Sequence, residues 1–215
     1  DADDEWLPDK LSRSLAVMTA EAADLVSHDY IRAEGEKTTQ ISCAQNFNRR
    51  PDPFVDYFLR GYIATSTVVA RRALLVDAGG FDPSLRAGQD YELWLAAISR
   101  PEMRHHVFAE ALTRYHVTPN SITSQGELRR RAALRILYRH FAALKGRSRH
   151  PRLVGIARMA IICLQAVAAH RAAGNVSGAI MAICLLPIHV VSIMALSTKK
   201  MADRPNFLTG DEATE

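Results

Sequence analysis

The sequence predicts an α/β fold, in which a mixed sheet with helices is followed by an α-helical C-terminal region. Two patterns indicate this class. Before residue 124, short β-branched or alternating segments take turns with segments of helical apolar spacing. After Glu127, apolar residues recur at helical spacing. We therefore expect an α/β unit over 1–124, a helical region over 125–200 and a polar tail over 201–215.

Apolar spacing and turn residues place the elements along the chain. Leu7, Leu11, Leu15 and Met18 recur at helical spacing, with Pro8 in an acceptable first-turn position. In order, the pattern predicts a helix over 8–19, a strand over 24–31, a turn at Gly35, a loop over 44–56, a buried strand over 63–70, a short helix over 73–77, a sharp turn at Gly79 and Gly80, a helix over 90–99, strands over 103–109 and 112–117, and helices over 127–145, 153–172 and 176–196.

An acidic cluster stands at the start of the sequence, where Asp1, Asp3, Asp4 and Glu5 precede the first helix. Carboxylates at positions i and i+2 of a turning segment can converge on a hard cation. Mg²⁺ in proteins is usually held by one or two carboxylates together with substrate phosphates. The alternative is a solvated acidic turn, because Asp and Glu are favourable at a helix N-terminus. A natural chain starts with Met, so we also expect a preceding half of the protein.

Composition limits the function classes. The chain has 215 residues, of which 48% are hydrophobic, enough for one domain core and an appendage. The net charge is +4, and basic residues concentrate over 129–152. That segment predicts an anionic partner, such as membrane headgroups or nucleic acid, or simply a solvated helix face. The three cysteines are widely spaced and favour a reducing compartment.

Three blocks in a fixed order carry a family resemblance. They cover residues 1–11, residues 65–72, and residues 79–95 with Asp90 near their centre. Together they resemble the metal-binding, acceptor-side and catalytic blocks of family 2 glycosyltransferases with the GT-A fold, over residues 1 to about 124. The resemblance implies a GT-A-like mixed sheet that is incomplete, with its N-terminal nucleotide-binding half missing. On that basis we expect this piece alone to be inactive.

The resemblance also implies roles for individual residues. Asp1 and Asp3 match the acidic pair that holds Mn²⁺ or Mg²⁺ against the diphosphate of a nucleotide-sugar donor. Asp4 adjoins them and would orient the ribose or a metal-bound water, so all three belong to the expected nucleotide-sugar site. Asp90 matches the base that deprotonates the acceptor hydroxyl, in a direct displacement that inverts the anomeric centre. The alternative role for Asp90 is a helix N-cap.

Two positions depart from the family pattern. The family usually has an acid directly before the base, where this chain has Gln89. It often reads Tyr-Arg-x-His after the base, and Thr118 occupies the His position here. Gln89, Trp94 and His116 are the candidate acceptor or sugar contacts. Trp94 lies four residues after Asp90 on a predicted helix and is either a stacking wall or a core residue. His116 is either a ligand contact or a hydrogen-bonded structural residue.

The C-terminal region has an apolar character that leaves two interpretations open. The segment 176–196 is long enough to cross a bilayer, although Pro187 and His189 weaken it as a span. The segment 153–172 is also apolar but contains Arg158. The two helices form either a hairpin that dips into one leaflet, with flanking basic residues on anionic headgroups, or a soluble helical subdomain packed on the catalytic domain.

The function that follows is a metal-dependent inverting glycosyltransferase in cell-surface polysaccharide or glycan synthesis. Its expected partners are a nucleotide-sugar donor, a glycan or lipid-linked acceptor, and an anionic membrane surface. The expected location is the cytoplasmic, inner face of the cell membrane. The rival is a non-catalytic, membrane-associated scaffold with a degenerate fold. A nucleic-acid-binding module ranks below both, and we expect no nucleic-acid partner.

Overall fold

A computed structural model describes residues 3–47, 52–117 and 126–196 of the chain. The fold is α/β with mixed sheets and several helices. The helices are α1 (Lys10–Ala20), α2 (Cys43–Phe47), α3 (Pro53–Arg60), α4 (Arg72–Asp77), α5 (Gln89–Ile98), α6 (Gly126–His140), α7 (Pro151–Ala172) and α8 (Val176–Ala195). The strands are β1 (Glu5–Trp6), β2 (Leu25–His28), β3 (Tyr30–Glu34), β4 (Lys37–Ile41), β5 (Val69–Ala70), β6 (His105–Phe108) and β7 (Thr113–His116). The predicted tail over 201–215 lies outside the described residues.

The described strands form two small sheets. In one, the order is β1-β7-β3-β4, with β3 parallel to β7 and the other pairs antiparallel. In the other, the order is β5-β2-β6, with β2 parallel to β6. The parallel pairs link strands that are far apart in sequence, as crossover connections do. The prediction of an α/β class with mixed β-structure and a helical C-terminal region is confirmed, but the described strands form two sheets where the sequence predicts one.

Several predicted elements differ from the structure. The single strand expected over 24–31 is two strands in different sheets, broken at Asp29, whose buried carboxylate accepts a hydrogen bond from the Ala44 backbone at 2.9 Å. The loop expected over 44–56 contains most of α2 and the first part of α3. The segment 63–70, expected to be one strand, contains a 3₁₀ turn, Thr65–Thr67, and only the two-residue strand β5 at its end. Here tertiary hydrogen bonds override the local β-propensity.

Helix α1 lies where the sequence predicts it, but its apolar spacing does not mark the face that is buried. Leu11 and Leu15 are about half exposed, whereas Lys10, Ser14 and Met18 are buried. The Lys10 ammonium lies 3.7 Å from the centroid of the Trp6 ring, and burial lowers the pKa of Lys10 to about 8. Apolar periodicity therefore identifies the helix correctly and its buried side incorrectly.

The main hydrophobic core runs from the α/β unit into the helical region without interruption. Phe58 of α3, Leu93 of α5, Ile136 of α6 and Met159 of α7 are buried in one cluster. Some of these segments pack so closely that only a glycine fits at the contact. A Cβ at Gly155 of α7 would lie 2.7 Å from the Phe141 ring. The α/β unit and the first helices of the C-terminal region thus share one core.

A buried ionic cluster reinforces the junction between α5 and α6. One Arg139 nitrogen, Nη1, donates to Asp82 Oδ2 at 2.8 Å and to Glu92 Oε1 at 3.0 Å. His140 Nε2 lies 3.1 Å from the same Glu92 oxygen. Both carboxylate side chains are fully buried. Burial alone would raise the pKa of Asp82, but hydrogen bonds from Ser84 and Arg139 outweigh it and lower that pKa.

Replacing Arg139 with Met tests this cluster. The substitution keeps an apolar stem but leaves two buried carboxylates without their shared cation, which costs about 3–5 kcal/mol of unfolding free energy. Urea unfolding at neutral pH measures the loss. The matched control is Arg131→Met on the same helix, where the arginine side chain is 76% exposed. That control should change the unfolding free energy by less than about 0.5 kcal/mol.

The effect should also depend on pH. Because the folded-state pKa of Asp82 is lowered, its contribution is complete above the ordinary aspartate pKa and is lost as pH falls through the folded-state value. The difference between wild type and Arg139→Met should therefore shrink in acid. An equal difference at neutral and strongly acid pH would contradict this account.

Candidate functional site

The acidic motif is held at the edge of the larger sheet. Strand β1 pairs with β7, so that Glu5 faces Arg114 across the ladder, and Arg114 Nη1 donates to Glu5 Oε2 at 3.3 Å. The carboxylate just before the strand, Asp4, accepts from the backbone N–H of His116 at 3.1 Å through Oδ1. Its other oxygen, Oδ2, accepts a hydrogen bond from the Ser66 hydroxyl. Asp4 is therefore anchored to two other elements.

The 3₁₀ turn Thr65–Thr67 joins the acidic motif to Asp90. Ser66 donates to Asp4, and the preceding residue, Thr65, donates through Oγ1 to Asp90 Oδ2 at 3.1 Å. The Cα atoms of consecutive residues are about 3.8 Å apart. The turn is itself fixed by Thr113, whose hydroxyl donates to the Ser66 carbonyl at 3.2 Å. The two predicted halves of the site, 86 positions apart in the sequence numbering, thus converge on one short turn.

Asp90 lies in the first turn of α5, one residue after its first residue, Gln89. The alternative role as a helix N-cap is wrong, because Gly88 occupies the cap position. Gly88 has φ +68°, in the left-handed region that favours glycine, and a Cβ there would lie 3.3 Å from Ile136 Cδ1. This backbone conformation sets the direction from which α5 begins and hence where the Asp90 carboxylate points.

The pKa values of two tyrosines are raised by the carboxylates near the site. Burial raises the pKa of Tyr115, and the nearby Asp4, Asp3 and Asp90 carboxylates raise it further. The Tyr115 hydroxyl is therefore close enough to all three carboxylates to interact with their charges. Burial raises the pKa of Tyr57, and the negative charge of Asp90 raises it further. The Tyr57 hydroxyl is buried and has no hydrogen-bond partner among the described residues.

A cavity of about 250 Å³ opens beside Asp90. Its walls come from the end of α3, the start of α5, and one face each of α6 and α7. The charged lining residues are Asp90, Arg60, Arg129, Arg130 and Arg158. The charged lining thus holds one carboxylate and four arginines, three of which, Arg129, Arg130 and Arg158, belong to the helical region and form a cationic wall.

The three candidate acceptor or sugar contacts, Gln89, Trp94 and His116, lie in three different environments. Gln89 donates through Nε2 to the Leu85 carbonyl at 2.6 Å, which ties it to the preceding turn. Trp94 is only 3% exposed and packs edge-to-face on Phe81, so it is a core residue and the interpretation as a sugar wall is wrong. The His116 side chain is partly exposed, with Nε2 3.9 Å from Glu5 Oε2.

The acidic motif offers carboxylate oxygens, which are the type of ligand that a hard divalent cation prefers. Asp3 is an exposed carboxylate next to Asp4, and Mg²⁺ or Mn²⁺ can be held by one or two carboxylates and substrate phosphates. Both oxygens of Asp4 already accept hydrogen bonds from the protein. Asp1 and Thr118 lie outside the described residues. Within the described ranges, no group of three or more His, Cys, Asp or Glu side chains is arranged to hold a metal ion.

The sequence predicts a basic segment over 129–152 but neither the turn at 65–67 nor the position of Arg158 at the cavity. Thr65 and Ser66 lie in the predicted strand over 63–70 and in the block that resembles the acceptor side, but neither pattern predicts a turn that contacts both acids. In the sequence pattern, Arg158 is only an interruption of an apolar helix. A charged residue that interrupts a helix otherwise built of apolar residues is the signal that pointed to it.

No family model, curated protein or solved structure matches this chain. The assignment of the site therefore depends on its own geometry and on the resemblance of its motifs.

Replacing Gly88 with Ala tests how the Asp90 helix is positioned. An L-residue in the left-handed region costs about 1–2 kcal/mol, and the contact with Ile136 adds to it. The matched control is Gly35→Ala, which has φ +58° and open space around its Cβ position. Chemical unfolding should show a loss in both variants and a larger loss in Gly88→Ala. Equal losses would show that the Ile136 contact does not constrain α5.

Proposed function

We propose that the protein is an inverting glycosyltransferase that moves a sugar from a nucleotide-sugar to an acceptor hydroxyl, with a GT-A-like catalytic unit. The observation that supports this most is the convergence of Asp4 and Asp90 on the adjacent residues Ser66 and Thr65. The sequence resemblance requires a donor-side acid and an acceptor-side base on opposite sides of one reaction centre. Widely separated carboxylates would have removed the basis for the proposal.

In this reaction the Asp90 carboxylate accepts the proton of the acceptor hydroxyl as that oxygen bonds to the anomeric carbon. The bond from the anomeric carbon to the nucleoside diphosphate breaks, and the diphosphate leaves with the electron pair. Thr65 donates a hydrogen bond to Asp90 Oδ2, which fixes the carboxylate at the cavity that Asp90 lines. Thr65 acts as a positioning residue, and Asp90 acts as the general base.

On the donor side, Asp3 and, by the resemblance, Asp1 would hold Mg²⁺ or Mn²⁺. The ion would offset the negative charge that develops on the departing diphosphate. Asp4 would fix the acidic segment rather than coordinate the ion itself, since both of its oxygens accept protein hydrogen bonds. Ser66 and the His116 backbone are then the residues on which the donor side of the site depends.

Asp90→Asn in the full-length protein tests the base assignment. The amide keeps the shape of the side chain but cannot accept the proton, so the rate of sugar transfer should fall by about 10²–10⁴-fold. Metal-dependent nucleotide binding should persist, because the donor side is intact. Transfer is followed as nucleoside diphosphate release from a panel of nucleotide-sugars with and without Mn²⁺.

The matched control for that experiment is Asp9→Asn, which removes an exposed carboxylate that makes no side-chain capping bond. It should retain wild-type transfer. Full transfer by Asp90→Asn would remove Asp90 from the mechanism. A wild-type protein that binds nucleotide-sugar but releases no diphosphate with any donor would favour the non-catalytic scaffold.

We further propose that the protein associates with a membrane through the α7–α8 hairpin. Both helices, of 22 and 20 residues, are long and apolar enough to cross a membrane. However, α6 and α7 pack side by side, and Gly126 near the start of α6 approaches Ala169 near the end of α7. The more exposed apolar surface is therefore that of α8, including Ile180, Ile188 and Val191. This arrangement favours an outer helix lying in the interface.

Placing two charges on α8 tests the membrane proposal. The double variant Ile180→Asp and Val191→Asp changes side chains that are 56% and 68% exposed, so the fold should be retained. Each substitution removes about 1.5–3 kcal/mol of apolar burial in the membrane. Vesicle flotation should therefore show at least a tenfold lower bound fraction. The control, Thr38→Asp with Thr39→Asp on exposed β4, adds the same charge and should bind like wild type.

A further inference from the structure

The cavity wall contributed by α7 carries a buried cation that has no carboxylate partner among the described residues. Arg158 is 5% exposed and lines the cavity. Its Nη1 donates to the Leu59 carbonyl at 2.9 Å, and its guanidinium carbon lies 4.8 Å from the centroid of the Tyr91 ring. Its Nε–H is buried and has no hydrogen-bond partner among the described residues. These contacts orient the guanidinium but do not neutralise its charge.

Two other arginines of the same cavity are neutralised by the protein. Arg60 Nε lies 3.6 Å from Asp56 Oδ1, and Arg130 Nε lies 2.8 Å from Glu127 Oε2. Burying a charge away from water is costly unless it is paired. An unsatisfied buried donor in a stable fold therefore requires an explanation, such as a ligand that completes it. Arg158 has the geometry of an anion-binding residue whose anion comes from outside the chain.

The shape and charge of the cavity specify the anion further. A guanidinium presents several donors in one plane, which matches the oxygens of a phosphate. Arg129 lies on the same cationic wall, whereas the Asp90 carboxylate would repel an anion placed close to it. A volume of about 250 Å³ lies at the small end of ligand sites, which suits one headgroup rather than a long glycan.

We propose that this cavity binds the phosphate or diphosphate group of the acceptor, with Arg158 as its principal ligand, so that a neutral acceptor hydroxyl faces Asp90. The assignment of the anion to the acceptor rests on the proposed glycosyltransferase function. The phosphate can belong to a lipid-linked acceptor or to a soluble phosphorylated one. The exposed apolar surface of α8, next to α7, favours the lipid-linked source.

Titration of inorganic pyrophosphate into the full-length protein tests the site. Calorimetry is done with a chelator present, so that a divalent cation cannot carry pyrophosphate to the acidic motif. Wild type should bind, and Arg158→Met should bind at least about tenfold more weakly, the expected loss for a charged hydrogen bond. Arg135→Met, which removes an exposed arginine of α6 outside the cavity, should match wild type.

Two further variants keep the test decisive if Arg158→Met fails to fold. Ala133→Phe fills the cavity without changing its charge and should also abolish pyrophosphate binding. Asp90→Asn removes the repelling carboxylate, so it should bind pyrophosphate at least as tightly as wild type while losing sugar transfer. Wild-type affinity in a folded Arg158→Met or Ala133→Phe protein would overturn the proposal.

Farnesyl diphosphate in place of pyrophosphate distinguishes the two sources of the phosphate. Tighter binding of the farnesyl compound indicates a lipid-linked acceptor, and equal binding indicates a soluble one. With either outcome, Arg158→Met must weaken the binding of farnesyl diphosphate. The failures are also separable. Arg158-dependent binding in a protein that transfers no sugar would refute the glycosyltransferase assignment alone, whereas transfer with Arg158-independent anion binding would refute this inference alone.

Discussion

The shared contact of Arg139 with Asp82 and Glu92 is the interaction on which the rest of the arrangement depends. It joins the turn before α5, the body of α5 and the basic helix α6 at one buried point. A charge cluster of this kind adds specificity of position more surely than it adds net stability. It fixes α6 over α5, and α6 in turn supplies one wall of the cavity beside Asp90.

In the proposed reaction, the site combines an anchored donor-side acid with a base on a helix whose N-cap is a glycine. Asp4 is held by hydrogen bonds from Ser66 and the His116 backbone, and Asp90 is held by Thr65. Because both carboxylates depend on one turn, a movement of that turn would shift them together. This coupling suits a reaction in which a leaving group and a proton acceptor must keep a fixed separation.

In the proposed function, the helical region serves both ligand binding and membrane attachment. Its inner helix α7 packs on α6 and α3 and brings Arg158 to the cavity, while its outer helix α8 exposes apolar side chains. The same hairpin can therefore place the protein on a membrane and present a cation to a phosphorylated acceptor. That combination would bring the headgroup of a lipid-linked acceptor to the base without the protein leaving the interface.

The sequence by itself determined the class of the fold and the existence of most long helices, and it singled out Asp4 and Asp90, which the structure brings to one turn. The spacing of apolar residues along a helix is a local pattern that can be read without tertiary contacts. The segment 79–90 likewise indicates a turn and a helix start through its glycines. Only the tertiary structure decided which side of α1 is buried, that 65–67 is a turn rather than a strand, and that Trp94 is a core residue. It also decided that Arg158 reaches Asp90's cavity. These outcomes depend on contacts between residues far apart in the chain, whose energies no local pattern contains.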